Sequence, residues 1–126
     1  MMIPRPTYRR AVETALKRSP VCAVWEGFAL EQILRISRAP EAYFWGTQSG
    51  AELDLLLLRG GRRIGYEFKY SERPASVTRS MRVACEDLRL DRLWIVCPGN
   101  ARTKLDAAIE VCGIDTLNSA STPLLD

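Results

Sequence analysis

Apolar and polar positions along this chain alternate with two different periods. From about Val24 to Ser37, Ala29, Leu30, Ile33 and Leu34 recur at the spacing of one helical face, with Trp25 and Ile36 at its margins. From Val77 to Leu90, Val77, Met81, Ala84, Cys85 and Leu88 fall at i, i+4, i+7, i+8 and i+11, a second helical face. Between these lie shorter runs of strand character: Ala42 to Thr47 around the aromatic cluster Tyr43, Phe44 and Trp45, then Ala51 to Arg59, then Arg62 to about Tyr70. Gly60-Gly61 joins the last two, and both glycines can take the positive φ of a type I′ hairpin turn. Arg92 to Cys97 is a continuous apolar run with β-branched and aromatic members, a buried strand closed by Pro98-Gly99.

The ends are read the same way. Thr7 caps an expected first helix to about Arg18, ended by Ser19-Pro20. A last helix is expected from about Thr103 to Cys112, stopped by Gly113, and a short strand from Ile114 to Leu117. The resulting order, α-α-β-β-β-α-β-α-β, calls for a mixed sheet with helices on its faces, an α/β fold. Residues 1–20 read as a helical extension, 21–118 as the domain proper and 119–126 as a tail.

Composition fits one domain: 126 residues, 47% apolar and 26% charged. A chain of this size buries roughly two-thirds of its unfolded surface, so it folds without metal staples or disulfides. It has no histidine, which excludes Ser-His-Asp and Cys-His nucleophile pairs, a histidine base and histidine-ligated zinc. Cys22, Cys85, Cys97 and Cys112 form no C-x-x-C pair and read as small core residues of a reducing compartment. The start of the chain has no apolar signal region, and the longest uncharged apolar run, Leu55 to Leu58, is far too short to span a bilayer; the expected location is the cytoplasm, with no membrane partner. A net charge of +3 permits a polyanionic partner without requiring one. Fifteen of the eighteen basic residues are arginine, so Lys17, Lys69 and Lys104 stand out.

Candidate chemistry comes from the hairpin. Side chains alternate along a strand, which places Glu52 and Asp54 on one face and Glu67 and Lys69 on one face of the neighbouring strand. Sharing a face, they would gather three carboxylates and an ammonium group, a set suited to Mg²⁺ or Mn²⁺. The alternative is a solvated face with cross-strand Glu/Lys pairs. Glu26 falls within the apolar stripe of the helix before the strands, where a carboxylate needs a partner: a metal site, a lysine, or a nearby N–H or arginine.

The order of these residues carries a resemblance. An acidic residue on a helix, another on a strand, then E-x-K on the next strand, followed by a helix and a buried strand, resembles the PD-(D/E)xK nuclease superfamily. More narrowly, VWEGFALEQIL, FWGTQSGAELDLLL and GYEFKYS are similar to the domain of unknown function at the C-terminus of prokaryotic AAA+ ATP-binding proteins, over about residues 19–98. The resemblance implies a restriction-endonuclease-like core, α-β-β-β-α-β, and assigns roles residue by residue. Glu26 becomes a metal-supporting carboxylate. Asp54 and Glu67 become the main ligands of Mg²⁺ or Mn²⁺, with the Phe68 backbone carbonyl completing the shell. Lys69 orients or deprotonates the attacking water, a role open to an ammonium group and closed to guanidinium. Glu52 matches only the narrower family's pattern, as a further ligand or a residue that positions an arginine.

Two features depart from that pattern. No G-x-x-x-x-G-K-[ST] is present, so no ATP site of the P-loop kind is expected here, and the chain reads as a solitary domain, a gene remnant or a fragment of a longer ATPase. The arginines are scattered: Arg59, Arg62 and Arg63 at the hairpin tip, with Arg73, Arg79 and Arg82 beyond, are candidates for nucleic-acid phosphates or for ordinary solvated surface. The leading expectation is a Mg²⁺-dependent phosphodiester hydrolase acting on DNA or RNA. The alternative is a catalytically inactive module of the same fold that forms a homodimer, or docks an ATPase module in trans or another partner, through exposed Tyr43, Phe44 and Trp45.

Overall fold

The computed structural model describes residues 2–4, 20–38, 41–71, 75–118 and 124. The expected first helix, Arg73, and most of the expected tail lie outside the described residues.

One seven-stranded mixed sheet organises the domain, in the order β1-β2-β3-β4-β5-β7-β6. Strands β1 (Met2–Pro4), β2 (Glu41–Gly46), β3 (Glu52–Arg59) and β4 (Arg62–Phe68) pair antiparallel in chain order. Strand β5 (Arg92–Cys97) then runs parallel to β4, and β7 (Ile109–Gly113) parallel to β5. Strand β6 (Arg102–Lys104) closes the edge antiparallel to β7. A parallel neighbour needs a crossover, and helix α2 (Arg79–Leu88) supplies the one between β4 and β5.

Among the described residues, two α-helices cover opposite faces of the sheet, which makes this a three-layer α/β domain. Helix α1 (Pro20–Ser37) lays Ala29, Leu30, Ile33 and Leu34 on Leu55, Leu57, Ile64, Tyr66, Phe68, Trp94 and Val96. Helix α2 lays Met81, Ala84 and Leu88 on the other face, against Leu53, Leu56, Leu93, Ile95, Ile109 and Val111. Its ends are set locally: the Thr78 hydroxyl accepts the Met81 N–H at 3.3 Å, and Arg89 turns into the left-handed region at φ 50° to stop the helix. Gly60 and Gly61 take φ 58° and 77°, the hairpin turn expected of them.

Three expectations are corrected. Residues 102–113 form the β6–β7 hairpin instead of a helix, because Ile109 to Cys112 fill the place beside β5, where both sheet faces are covered and a buried strand is favoured over local helix preference. Gly113 is a close-approach residue and not a helix stop; a Cβ there would lie 2.0 Å from the Gly99 carbonyl oxygen. Ile114–Asn118 is a 3-10 helix and not a strand. Nor are the aromatics of β2 an exposed patch: Trp45 is buried, while Tyr43 and Phe44 pack half-buried against opposite cores, as alternation along a central strand dictates.

Candidate functional site

The hairpin β3–β4 is zipped at one end and open at the other. Its ladder runs from Arg59↔Arg62 to Leu55↔Tyr66 and ends there, although β4 continues to Phe68 against β5. The cause lies on the other side of β3, where the register with β2 slips: Tyr43 faces Leu56, but Trp45 faces Leu53. The extra residue is a bulge. Leu53 and Leu56 both reach the α2 face while Leu55 reaches the α1 face, so strict alternation fails at Asp54. Released from the ladder, Asp54 turns its carboxylate into the gap, where Oδ2 accepts the Phe68 N–H at 2.9 Å. Glu67 reaches back and accepts the Asp54 N–H. Two crossed side-chain bonds thus replace the missing rungs and bring the carboxylates together.

This company is electrostatically costly. Burial raises the Glu67 carboxyl well above its ordinary range, and the Asp54 charge pushes it further; Lys69 and the Asp54 N–H pull the other way. Burial also raises Asp54, against the Phe68 N–H, the Lys69 charge and a hydrogen bond from the Glu67 carboxyl. Glu52, exposed at the start of β3, adds negative charge to both. Two touching carboxyl groups do not both ionise readily, so the pair holds a proton more tightly than an isolated carboxylate would, and a bound cation would offset that.

Four of the residues singled out in the sequence therefore meet: Asp54, Glu67, Lys69 and, through its charge, Glu52. Glu26 stands half-buried on α1, over the opposite sheet face. Its neighbour Trp25 approaches Tyr70, with ring centroids 5.8 Å apart. Among the described residues, no group of three or more cysteine, aspartate and glutamate side chains is placed to hold a metal ion, so the protein's offer is the Asp54–Glu67 pair. That set fits Mg²⁺, which keeps several waters and is commonly held by one or two carboxylates together with substrate phosphate.

The arginines separate by position. Arg59 donates to the Ser37 carbonyl and Arg63 to the Leu88 carbonyl, each at 2.8 Å, so the hairpin tip caps the C-termini of α1 and α2 on the two sheet faces. That tip, with exposed Arg62, lies five residues along β4 from Glu67, roughly 17 Å at the rise of a strand. Arg59 and Arg63 thus serve as caps of the two helices, while Arg62 stands exposed in solvent. Arg82 pairs with Asp106 at 3.1 Å. Arg79 is exposed in the first turn of α2.

Sequence reasoning missed a groove of about 830 Å³ that starts at Lys69, Tyr70 and Ser71 and passes between the α2 N-terminus and β5, β6 and β7. It lies off the C-terminal ends of the parallel strands, where open α/β sheets bind ligands. Tyr70, next to Lys69, was the available signal; the far wall was hidden by reading residues 103–112 as a helix. The cysteines are free: Cys112 is buried, and Cys22, Cys85 and Cys97 are half-buried.

Fold and site define a mixed-sheet α/β domain with a carboxylate pair, Glu67 buried and Asp54 half-buried, and a lysine at the open end of a hairpin. The family described as "Domain of unknown function (DUF4143)" matches residues 22–117, and the chain belongs to that family. It is similar to the uncharacterised proteins Rv2008c of Mycobacterium tuberculosis and Mb2031c of Mycobacterium bovis, 43% identical to each over 104 residues. The match covers 82% of this chain and 23% of the length of each relative. No solved structure matches it. No helix among the described residues is long and apolar enough to cross a membrane.

Proposed function

We propose that this domain is a divalent-cation-dependent phosphodiester hydrolase acting on nucleic acid, of the PD-(D/E)xK type. The observation that carries the reading is the crossed Asp54–Glu67 pair with Lys69 on the same strand face as Glu67: two carboxylates held out of water at a cost to folding, beside a lysine. Asp54 and Glu67 would hold Mg²⁺ or Mn²⁺, with the Phe68 carbonyl as the further ligand the resemblance assigns. Bound there, the ion supplies Lewis acidity toward a phosphoryl oxygen and acidifies a water.

The chain's own residues do the rest. The Phe68 N–H fixes the Asp54 carboxylate and the Asp54 N–H fixes Glu67, so neither has to reorganise on meeting charge. Lys69 directs a positive charge toward the phosphate and orients the attacking water. Water adds to phosphorus, one P–O ester bond breaks, and the departing oxygen takes up a proton. Histidine is not required at any point. The test is cleavage of plasmid and single-stranded substrates with Mg²⁺ or Mn²⁺, comparing wild type with Asp54→Ala and Lys69→Ala; equal rates in all three would overturn the reading.

One observation favours a second reading, a silent docking module. Val21, Val24 and Phe28 are 63%, 74% and 52% exposed on the outer side of α1, and the longer relatives carry further chain that such a stripe could meet. Calorimetric titration with Mg²⁺ and Mn²⁺ separates the two, since a docking module shows no ion response that depends on Asp54.

A further inference from the structure

The groove beside the carboxylate pair has a deep part and a rim of different chemistry. Its depth is aliphatic: Met81, Ile95 and Val111 are 2%, 0% and 8% exposed, with Cys97 and Leu105 half-buried. Its rim carries the exposed hydroxyls of Ser71, Ser76, Thr78 and Thr103. An apolar floor under a ring of hydroxyls suits a flat heterocycle, whose faces lose water against carbon while its edges find hydrogen bonds. At the Lys69 end stands Tyr70, 44% exposed, an aromatic surface on which a base can stack. Lys69, exposed at that end, sets positive charge at the mouth, where phosphates would run.

Size narrows the occupant. A volume of about 830 Å³ lies within the range of small-ligand pockets and accommodates one nucleotide. A duplex keeps its bases stacked and paired inside, so only an unpaired or extruded base can enter such a groove. We propose that the groove receives the unpaired base adjoining the phosphodiester held at Asp54, Glu67 and Lys69, which makes single-stranded nucleic acid the substrate class. The inference rests on the hydrolase reading for what happens to the phosphodiester, while occupation of the groove is measurable without cleavage.

The test is fluorescence anisotropy on the whole chain carrying Glu67→Gln, which blocks turnover and leaves the groove intact. Labelled DNA and RNA single strands of about ten nucleotides are compared with duplexes of the same sequence at one salt concentration. At least one single strand is expected to bind about tenfold or more tightly than its duplex. Ser76→Trp and Thr103→Trp, which fill the rim from exposed positions, are expected to lower that affinity at least about tenfold and leave duplex binding unchanged. With Glu67 restored, the same substitutions raise KM and leave kcat within about threefold. Equal affinity for single strand and duplex overturns the proposal, as does unchanged affinity in both tryptophan variants, with circular dichroism confirming that each folds. Should cleavage prove indifferent to Asp54 and Lys69, the hydrolase reading falls, and the anisotropy still decides the groove.

Discussion

Glu110 and the Asp54–Glu67 pair are carboxylates held largely out of water in opposite company. Glu110, on β7, lies 2.6 Å from the Arg92 guanidinium and 3.6 Å from that of Arg102, and both guanidiniums sit over the Trp94 ring, at 5.3 and 5.7 Å. Charge there meets opposite charge: one anion faces two cations, and an aromatic face lies under both, although the buried Arg92 Nε and Trp94 Nε1 find no partner. At Asp54 and Glu67, carboxyl faces carboxyl, and each is raised by burial. The first arrangement pairs its buried carboxylate with opposite charge. The second sets acid against acid, and the proposed hydrolase reading places the chemistry there and architecture at the first.

Substitution at the two places should therefore separate activity from stability. The largest effect expected is on hydrolysis. Asp54→Asn, Glu67→Gln and Lys69→Met should each lower the metal-dependent rate on the order of 10²- to 10⁴-fold, whereas Glu110→Gln should leave it within about threefold. Initial rates on a single-stranded substrate check this. A loss at Glu110 equal to that at Glu67 would erase the distinction.

Stability should move the other way. Glu110→Gln leaves Arg92 and Arg102 facing an uncharged amide in a mostly buried place and should cost about 2 kcal/mol, less than a fully buried pair because Arg102 is well exposed. Urea denaturation measures it. A smaller loss, about 1–2 kcal/mol, is expected for Arg63→Ala, which frees the Leu88 carbonyl at the end of α2. Hydrolysis by Arg63→Ala should stay at the wild-type rate, since the tip lies at the far end of the hairpin. A fall in rate without a fall in stability would return Arg63 to the substrate surface.

How much of this was legible in the sequence follows from how local each feature is. Gly60-Gly61, the stripes of both helices and the E-x-K strand depend on a few neighbouring residues, and all were readable. The meeting of Asp54 with Glu67 was readable as a strand pattern, but its cause was not. Alternation alone places Glu52 and Asp54 alike, whereas the bulge opposite Tyr43 and Trp45 frees Asp54 to enter the gap. Residues 103–112 were misread because their local preference is overruled by a vacant place beside β5, which only the assembled sheet creates. The capping role of Arg59 and Arg63 was not readable, because nothing local in the chain tells that the hairpin tip would meet the ends of both helices.

The smallest effect expected is the most specific to the pair. In the presence of a chelator, Glu67→Gln should stabilise the domain at neutral pH, because glutamine keeps an acceptor for the Asp54 N–H and removes one of two facing acids. A gain of about 1 kcal/mol corresponds to roughly 4 °C in Tm for a domain near this size. The sign with pH follows from the raised carboxyls. A group that holds its proton more tightly folded than unfolded favours the fold when protonated, so wild-type stability is full below the unfolded value near 4 and declines as pH rises toward the folded value. Glutamine does not titrate, and Glu67→Gln should lose less stability over that rise. The two Tm curves should meet at about pH 4 and separate above it, the variant lying higher. Saturating Mg²⁺ should then raise wild type and not the variant, narrowing the gap at neutral pH. For Glu110→Gln the variant should lie below wild type at neutral pH, with or without the ion. A Glu67→Gln curve lying below wild type at neutral pH would mean that the pair is a structural contact like Glu110, and the contrast between the two regions would collapse.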